Sequence, residues 1–192
     1  RSHSYRTPVD FLNDMVGSVV NQAYQNWELI LLNASPEDAA LQDALTKIAD
    51  DRVLVIELEG NSGISDNTNV GIEAASGDYV VFFDHDDLLD PLALYYYAEA
   101  INEDGSIDAL YCDEDFLNEE GEFVAPHFKS DFNLDLLRCH NYITHLLAVR
   151  AAFAKELMLR SAFDGAQDYD FLLRLVERTT NIVHIPDVLY HE

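Results

Sequence analysis

The sequence predicts an α/β fold with a mostly parallel central sheet flanked by helices. Through the first half of the 192-residue chain, short apolar patterns typical of strands alternate with apolar-periodic patterns typical of helices, as in right-handed β–α–β units. Apolar residues make up 48% of the chain, which is enough to bury a sizeable core in one domain and argues against disorder. One predicted strand, 79–83, runs directly into a group of carboxylates, as strands do at the ligand-binding edge of open α/β sheets.

In the first half, the helices show apolar residues three and four positions apart, and the strands show alternating or continuous apolar runs. Ser35-Pro36 is predicted to cap the second helix, and Pro91 stands at the first position of the fourth, where its missing N–H does no harm. In chain order we predict a helix at 9–24, a strand at 27–32, a helix at 36–49, a strand at 52–58, a helix at 66–75, a strand at 79–83 and a helix at 91–101.

The second half has a more mixed pattern. The apolar run 142–149 predicts a strand, and His145 within it is interpreted as a hydrogen-bonded core residue rather than a ligand. Pro186 is predicted to end the last strand. In chain order we predict a strand at 107–112, a turn with a hairpin at 119–123, a helix at 131–139, a strand at 142–149, helices at 151–158 and 167–178, and a strand at 182–185.

The charge balance limits the classes of partner. Acidic residues number 36 and basic residues 11, which gives a formal net charge of −25 and argues against binding to nucleic acid or to an anionic membrane surface. No apolar run approaches the length of a membrane span. A phosphate ligand would find few cations here, so a bound divalent metal would have to supply positive charge. Two isolated cysteines, Cys112 and Cys139, indicate a reduced, cytoplasmic domain.

The stretch GDYVVFFDHDDLLDP, residues 77–91, carries the clearest chemical signal. Asp84 and Asp86 point the same way if the chain is extended there, so they can share one hard cation through oxygen ligands. The alternative is a solvated acidic turn in which Asp90 caps the next helix. From this stretch alone, both interpretations stay open.

Five ordered blocks resemble the family 2 glycosyltransferases of the GT-A fold, which are inverting, metal-dependent enzymes that use nucleotide-sugars. The sequences of the last three blocks most resemble bacterial enzymes that build cell-surface polysaccharides, including rhamnose-rich ones. The blocks are SVVNQAYQNWELILLNASPED (18–38), NSGISDNTNVGIEAASGDYVVFFDHDDLLDP (61–91), FKSDFNLDLLRCHNYITHLLAVR (128–150), FDGAQDYDFLLRLVE (163–177) and HIPDVLYHE (184–192).

The resemblance implies a site for Mn²⁺ or Mg²⁺. The family's DxD motif falls on Asp84-His85-Asp86, so Asp86 would bind the metal that bridges the donor diphosphate, and Asp84 would lie near the ribose and the metal. His191 matches the C-terminal histidine that completes metal binding in many GT-A enzymes. Asp87 would be an additional acid on the acceptor side.

The resemblance also implies the catalytic base. Asp168 matches the acid of the family's xED motif, which deprotonates the acceptor hydroxyl, and Gln167 replaces the usual Glu. A sugar hydroxyl is a poor nucleophile until a base takes its proton, which is a suitable task for a carboxylate. The alternative for Asp168 is a cap or a favourable charge at a helix N-terminus.

The nucleotide-sugar would be held by residues at the matching positions of the first two blocks and of the chain start. Tyr5-Arg6-Thr7-Pro8 fits the end of the family's first strand, and we expect that strand to be truncated because no apolar run precedes it. Asn33-Ala34-Ser35 replaces the common Asp pair, and Thr68-Asn69 replaces the common Arg-Asn pair. The expected nucleotide-sugar-binding residues are Tyr5, Asn33, Ser35, Asn69, Asp84 and His85.

We therefore expect a single GT-A domain over 1–192, with a nucleotide-sugar-binding half at 1–112 and an acceptor-side half at 113–192. The expected donor is a UDP- or dTDP-sugar, and the expected acceptor is a glycan or a lipid-linked glycan. Any contact with the inner face of the membrane would come from parts outside this chain. The alternative is a catalytically degenerate GT-A module that binds nucleotide or glycan within a larger synthase. A sugar-nucleotide pyrophosphorylase would need a Gly-rich loop with Arg and Lys after its first strand, which is not found here.

Overall fold

The computed structural model of the chain describes residues 8–118 and 120–192. The alternation of strands and helices predicted for the first half is confirmed. In chain order the elements are α1 (Val9–Val20), β1 (Leu29–Asn33), α2 (Ala39–Thr46), β2 (Val53–Glu57), α3 (Ile64–Ala74), β3 (Tyr79–Val81), β4 (Leu88–Leu89), α4 (Ala93–Glu103), β5 (Ala109–Leu117), β6 (Phe123–His127), α5 (Leu134–Cys139), β7 (Ala148–Arg150), α6 (Ala151–Leu157), a short 3-10 helix (Ser161–Phe163), α7 (Gln167–Leu175) and β8 (Ile182–His191).

The helices follow from local sequence. α1 buries one apolar stripe, and α2 starts later than Ser35-Pro36 predicted because Asp38 caps it. The Asp38 carboxylate accepts hydrogen bonds from the backbone N–H groups of Ala40 at 3.0 Å and Leu41 at 3.2 Å, which satisfies donors that the helix cannot pair. The buried stripe of α1 has the spacing of a helix face: Leu12, Met15, Val16 and Val19.

The prediction of a mostly parallel sheet is wrong. β1 and β2 pair in parallel across α2 and form a two-stranded sheet, and a six-stranded sheet has the order β3-β7-β5-β8-β4 with β6 beside β5. Among the described strands of the larger sheet, β5 and β8 are parallel, whereas β3–β7, β5–β7, β4–β8 and β5–β6 are antiparallel. In the second half, β5 and β6 form an antiparallel hairpin. The parallel strands β5 and β8 are joined by a long connection that contains α5, α6 and α7, as a parallel pairing requires.

β5 is the central strand of the larger sheet and is buried on both faces. Ala109 and Tyr111 point into a cluster with α3, α6 and α7, while Leu110 and Cys112 point into a cluster with α4. This alternation is the two-residue period of a strand. The strand then continues beyond its predicted end at Cys112 into buried Asp113, Glu114 and Asp115, which lead toward the candidate site.

The last strand does not end before Pro186. β8 continues to His191, and its register against β5 shifts between Cys112 and Asp113, so that Ile185 and Val188 face neighbouring residues of β5. The extra residues at this irregularity accommodate a proline that cannot donate to the ladder. The extension carries Tyr190 and His191 into the sheet.

The strand predicted at 142–149 is mostly a loop, because only Ala148–Arg150 pairs as β7. The apolar residues at 142–147 are buried. Two backbone carbonyls of this segment bind a side chain, whereas the Leu147 carbonyl accepts from the Phe82 N–H at 3.0 Å. The buried Lys129 ammonium donates to the carbonyl oxygens of Ile143, at 2.8 Å, and of His145. A buried apolar run looks the same in the sequence whether it forms a strand or a loop.

Candidate active site

An acidic segment, residues 84–87, lies between β3 and β4. Asp84 and Asp86 are exposed, whereas Asp87 is buried. The hydroxyl of Tyr190, on β8, donates a hydrogen bond to Asp87 Oδ2 at 2.5 Å and accepts one from the Asp84 backbone N–H at 3.5 Å. A buried tyrosine therefore ties the acidic segment to the central sheet.

The carboxyl group of Asp87 has an unusual proton affinity. Its pKa is raised to about 7, mainly by burial and also by the negative charges of Asp84, Asp86 and Glu192, while the hydrogen bond from Tyr190 opposes the rise. Burial also raises the pKa of the Tyr190 hydroxyl well above its ordinary value, so this hydroxyl remains a donor. A cation next to Asp87 would favour the charged carboxylate, because opposite charge stabilises it.

His145 lies beside the acidic segment, although it comes from the loop at 140–147. Its ring stacks on Tyr190, with the ring centroids 4.8 Å apart and an angle of 1° between the planes. Its Nε2 lies 3.7 Å from Glu192 Oε1. The stacking holds the imidazole plane in one orientation, next to the tyrosine that also holds the acids.

Asp84, Asp87 and His145 form a group with the composition of a metal site. Each offers one ligand atom, and these atoms all lie within 4.8 Å of one another. Among residues 8–118 and 120–192, no other three His, Cys, Asp or Glu side chains meet this condition. Two carboxylate oxygens and one imidazole nitrogen are a donor set that fits Mn²⁺.

The other two residues predicted to bind metal lie outside this group. His191 is buried, and its Nδ1 lies 2.5 Å from Asp115 Oδ1, while its ring stacks on Phe123 with centroids 4.1 Å apart. The Asp86 side chain is 56% exposed, with its Oδ1 3.8 Å from His85 Nδ1. Metal binding by Asp84, Asp86 and His191 stays a prediction. Among the described residues, these three side chains do not form a group.

Asp168, the predicted base, is the second residue of α7 and is half-buried. The side-chain amide of Asn141 donates to Asp168 Oδ2 at 2.8 Å. Gln167 is turned to the backbone, because its Oε1 accepts from the Gly165 N–H at 2.7 Å. The carboxylate thus combines a fixed direction with a helix N-terminus, where negative charge is favourable.

Two contacts connect Asp168 with the acidic segment. Phe82, which follows β3 directly, packs edge-to-face on Phe171 of α7 with ring centroids 5.3 Å apart. Each of the two rings is close in sequence to a candidate site residue. Asp84 follows Phe82 by two residues, and Asp168 precedes Phe171 by three. The carboxyl end of β3 therefore lies against the start of α7.

The loop at 140–147 supplies the second contact. Asn141 holds Asp168, and His145 belongs to the group with the acidic segment. The four residues from one to the other can span at most about 14 Å of extended chain. One loop thus touches both ends of the candidate site.

Three of the residues predicted to hold the nucleotide, Asn33, Ser35 and Asn69, have partners within the protein. Asn33 is buried; its Oδ1 accepts from the N–H of the equally buried Ser35 at 3.0 Å, and its Nδ2 donates to Glu57 at 2.9 Å. Asn69 makes two hydrogen bonds to the backbone of Leu159, at 2.9 Å and 2.8 Å. Tyr5 lies outside the described residues. His85 Nε2 is shielded from solvent and has no hydrogen-bond partner among the described residues. Their roles toward a nucleotide stay predictions.

Sequence reasoning missed four residues around this site: Lys129, Asn141, His145 and Tyr190. His145 was assigned to the core because its segment was interpreted as a strand. Lys129 gave no signal, since a lone lysine has no diagnostic spacing, yet its side chain is fully buried and donates to Glu114 at 2.8 Å as well as to the loop. The rule that buried charges are paired points to Lys129 only after the structure has shown that this residue is buried.

None of the described helices is long and apolar enough to cross a membrane.

Comparison with known sequences identifies close relatives. The family model described as Glycosyl transferase family 2 matches residues 4–157. An uncharacterized protein of Sinorhizobium fredii, y4gI, is 42% identical over 97% of this chain, and the O-antigen biosynthesis protein RfbC of Myxococcus xanthus is 40% identical over 94%. The chain spans only 21% and 14% of the lengths of these two proteins.

Comparison with solved structures finds the same architecture. S. aureus TarS in complex with UDP-GlcNAc matches with a TM-score of 0.79 and 22% identity, over 95% of this chain and 54% of that one. The mannosyltransferase PcManGT from Pyrobaculum calidifontis, in complex with GDP-Man and Mn²⁺, matches with a TM-score of 0.71 and 16% identity, over 97% of this chain and 54% of that one. At these identities the likeness shows a shared fold.

Proposed function

Because the chain belongs to glycosyl transferase family 2 and has the GT-A fold, we propose that it is the catalytic domain of an inverting, metal-dependent glycosyltransferase. It moves a sugar from a UDP- or dTDP-sugar to a hydroxyl of a glycan or lipid-linked acceptor in the synthesis of a bacterial cell-surface polysaccharide. The similarity to RfbC supports this process. The donor complexes of TarS and PcManGT support a nucleotide-sugar donor, and the Mn²⁺ of PcManGT supports a metal.

One observation carries the proposal. The loop at 140–147 holds Asp168 through Asn141 and belongs, through His145, to the group with Asp84 and Asp87. A donor diphosphate at the acidic segment and an acceptor hydroxyl at Asp168 would therefore meet across this loop. Direct transfer needs this proximity, because both reactants must be held in line.

Asp168 acts as the general base in this proposal. Asn141 fixes its direction, and Asn141 Oδ1 is shielded from solvent without a hydrogen-bond partner among the described residues. An unpaired buried oxygen is unfavourable for stability, so the bond to Asp168 is the contact that Asn141 makes with its side-chain amide. Asp168 takes the proton of the acceptor hydroxyl as the hydroxyl oxygen attacks the donor's anomeric carbon. Attack opposite the leaving diphosphate inverts that carbon.

The donor end needs positive charge that the chain does not provide. With 11 basic residues against 36 acidic ones, and with Lys129 buried against Glu114, a divalent cation is the suitable source. When bound, it neutralises charge that builds up on the leaving phosphates. The acidic segment supplies its carboxylate ligands.

The assignment of donor binding and acceptor binding to the two halves of the chain follows from this arrangement. We assign the donor to 1–112, which contains the acidic segment, and the acceptor to 113–192, which contains Asp168. Tyr190 and His145 are the exceptions, because they belong to the second half and contact or approach the acidic segment. The two halves thus form one site.

An Asp168→Asn variant tests the function. Release of UDP or dTDP from a panel of UDP- and dTDP-sugars, in the presence of oligosaccharides from bacterial cell-surface polysaccharides, should fall by about 10² to 10⁴-fold. Thermal stabilisation by Mn²⁺ with the nucleotide should be unchanged. The product of the wild-type chain should carry the anomeric configuration opposite to that of the donor, as measured by NMR.

Asp135→Asn is the matched control, because Asp135 also lies in the first turn of a helix but its side chain is 96% exposed. It should transfer sugar like the wild type. If Asp168→Asn loses nucleotide binding together with transfer, Asp168 is structural. If the wild-type chain binds nucleotide and metal but transfers to no acceptor, the degenerate binding module is the better hypothesis.

A further inference from the structure

The half assigned to the donor, 1–112, and the half assigned to the acceptor, 113–192, are joined by a short side-chain contact. The hydroxyl of Ser65, in the first turn of α3, donates a hydrogen bond to Asp164 Oδ1 at 2.5 Å, across 99 residues of sequence. Asp164 lies four residues before Asp168. We propose that Ser65 and Asp164 are positioning residues, which set the place of Asp168 without touching donor or acceptor. This inference rests on the proposed function, since it concerns the same base.

The turn that leads from Asp164 to α7 is closed by its own hydrogen bonds. The Asp164 N–H donates to the carbonyl of Ser161 at 3.2 Å. Gly165 has φ +96°, a backbone conformation that favours glycine, and its N–H donates to Gln167 Oε1 at 2.7 Å. Because α7 begins at Gln167, a shift of Asp164 is passed on to the start of this helix and to Asp168.

The loop before α3 is shaped to receive the Asp164 carboxylate. Gly63 has φ +100°, and a Cβ atom placed on it would lie only 2.7 Å from Asp164 Oδ2. Glycine therefore suits both the backbone conformation and the close approach. Ser65 has no exposed surface, so its hydroxyl needs a partner within the protein. Asp164 is that partner, although it belongs to an exposed segment.

Two further sets of contacts keep this part of the fold together when the Ser65 hydroxyl is lost. Asn69, one turn further along α3, makes two hydrogen bonds to the backbone of Leu159. Asp170 of α7 is paired with two arginines. Both helices thus stay attached to the segment that joins α6 to α7. Removal of the Ser65 contact should therefore act on sugar transfer more than on folding.

A misplaced base loses rate rather than donor affinity. The base and the acceptor hydroxyl must be held close and aligned, and a displacement of about 1 Å can lower the rate by about 100-fold. Ser65→Ala and Asp164→Ala should each lower kcat for sugar transfer by about 10- to 100-fold, with KM for the donor unchanged. The double variant should be no slower than either single variant, since both substitutions remove the same bond. Asp164→Asn should transfer at close to the wild-type rate, because its amide oxygen can still accept from Ser65.

Two measurements on the whole chain test the inference. The first is transfer from a panel of UDP- and dTDP-sugars with Mn²⁺, with oligosaccharides from bacterial cell-surface polysaccharides as acceptors. The second is amide hydrogen exchange followed by mass spectrometry. In Ser65→Ala, residues 163–169 should exchange about tenfold faster than in the wild type, whereas exchange in α1 should be unchanged. Ser161→Ala, at an exposed serine of the same segment, is the matched control and should behave like the wild type in both measurements.

The results separate this inference from the proposed function. Wild-type kcat and wild-type exchange in Ser65→Ala would overturn the positioning role while sugar transfer stands. A raised KM for the donor at unchanged kcat would also overturn it, because the contact would then serve donor binding. Faster exchange throughout the chain would mean that the contact supports the fold as a whole, which contradicts the inference. If the wild type transfers no sugar, the proposed function fails, and exchange of residues 163–169 alone decides whether the contact holds the start of α7.

Discussion

Tyr190 has an unusual combination of contacts for a single residue. Its ring packs edge-to-face with Phe83 at 5.9 Å between centroids and lies flat on His145, and its hydroxyl reaches Asp87. Asp87 is 103 residues away in the sequence. Tyr190 therefore contributes its ring to the packing of the sheet core and its hydroxyl to a hydrogen bond at the candidate site. Removing only the hydroxyl separates these two contributions.

Tyr190→Phe should lower the free energy of unfolding by about 1–3 kcal/mol, because Asp87 is left buried without its donor. The ring packing is kept, so the loss reports the hydrogen bond. Urea denaturation at neutral pH without metal measures it.

The matched control is Tyr95→Phe. Tyr95 also donates to a carboxylate, Glu99 at 2.8 Å, but it is 44% exposed on α4. Its loss should change stability by no more than about 0.5 kcal/mol. Equal effects of the two substitutions would show that the Tyr190 hydroxyl does not support Asp87.

At the scale of elements, α7 is attached to the segment that precedes it by a buried carboxylate. Asp170 accepts hydrogen bonds from Arg160 Nε and Arg174 Nε, each at 3.0 Å. Arg174 also donates to the carbonyl of Leu157 at 2.5 Å and to that of Met158 at 2.7 Å. These bonds attach the helix that carries Asp168, the proposed base, to the segment before it.

The stability supplied by Asp170 should depend on pH. The hydrogen bond from Arg160, and with it the pairing with Arg174, lowers the pKa of Asp170 below its ordinary value. A lowered pKa means that the stabilisation is complete above the unfolded-state value of about 3.9 and is lost as pH falls through the folded-state value. Asp170→Asn should therefore be about 1–3 kcal/mol less stable than the wild type at pH 7, with a gap that narrows below about pH 4.

Urea denaturation at several pH values between neutral and acidic measures this gap. Asp66→Asn is the control, since Asp66 lies in the first turn of α3 and is exposed. The control should follow the wild type at every pH. A gap for Asp170→Asn that stays constant into acid would mean that packing, rather than the carboxylate charge, attaches α7.

The elements differ in how far sequence predicts them. α1 and α7 were predictable because their apolar spacing is local and has the period of a helix. The strand predicted at 142–149 is shorter in the structure because the carbonyls of Ile143 and His145 bind Lys129, a residue outside the segment. The direction of strand pairing was predicted wrongly because the order of elements does not specify which strands become neighbours in the second half.

The candidate site shows the same limit at the scale of the whole molecule. Local motifs predict Asp84 and Asp168 as site residues, since each stands at the end or start of a recognisable element. The contacts around them were not predicted, because Tyr190, His145 and Lys129 reach the site through tertiary structure alone. Local sequence thus indicates candidate groups, and the fold supplies the residues that contact them.

The net charge of −25 governs how the whole molecule should respond to a nucleotide. A nucleoside diphosphate is anionic, so the domain repels it unless a bound cation reverses the sign of the field at the acidic segment. UDP, dTDP or GDP with EDTA should therefore leave the thermal unfolding midpoint unchanged. With Mn²⁺ or Mg²⁺, the matching nucleotide should raise it.

The size of this shift follows from mass action. A ligand at a hundredfold excess over its dissociation constant raises the free energy of unfolding by about 2.7 kcal/mol, which corresponds to about 5–10 °C for a chain of this size. Asp84→Asn should lose the nucleotide's effect in Mn²⁺, because Asp84 belongs to both candidate ligand sets. Equal stabilisation in EDTA and in Mn²⁺ would show that protein groups alone hold the diphosphate. Stabilisation by one nucleotide only in the presence of metal would instead identify the base of the donor and link its binding to the cation.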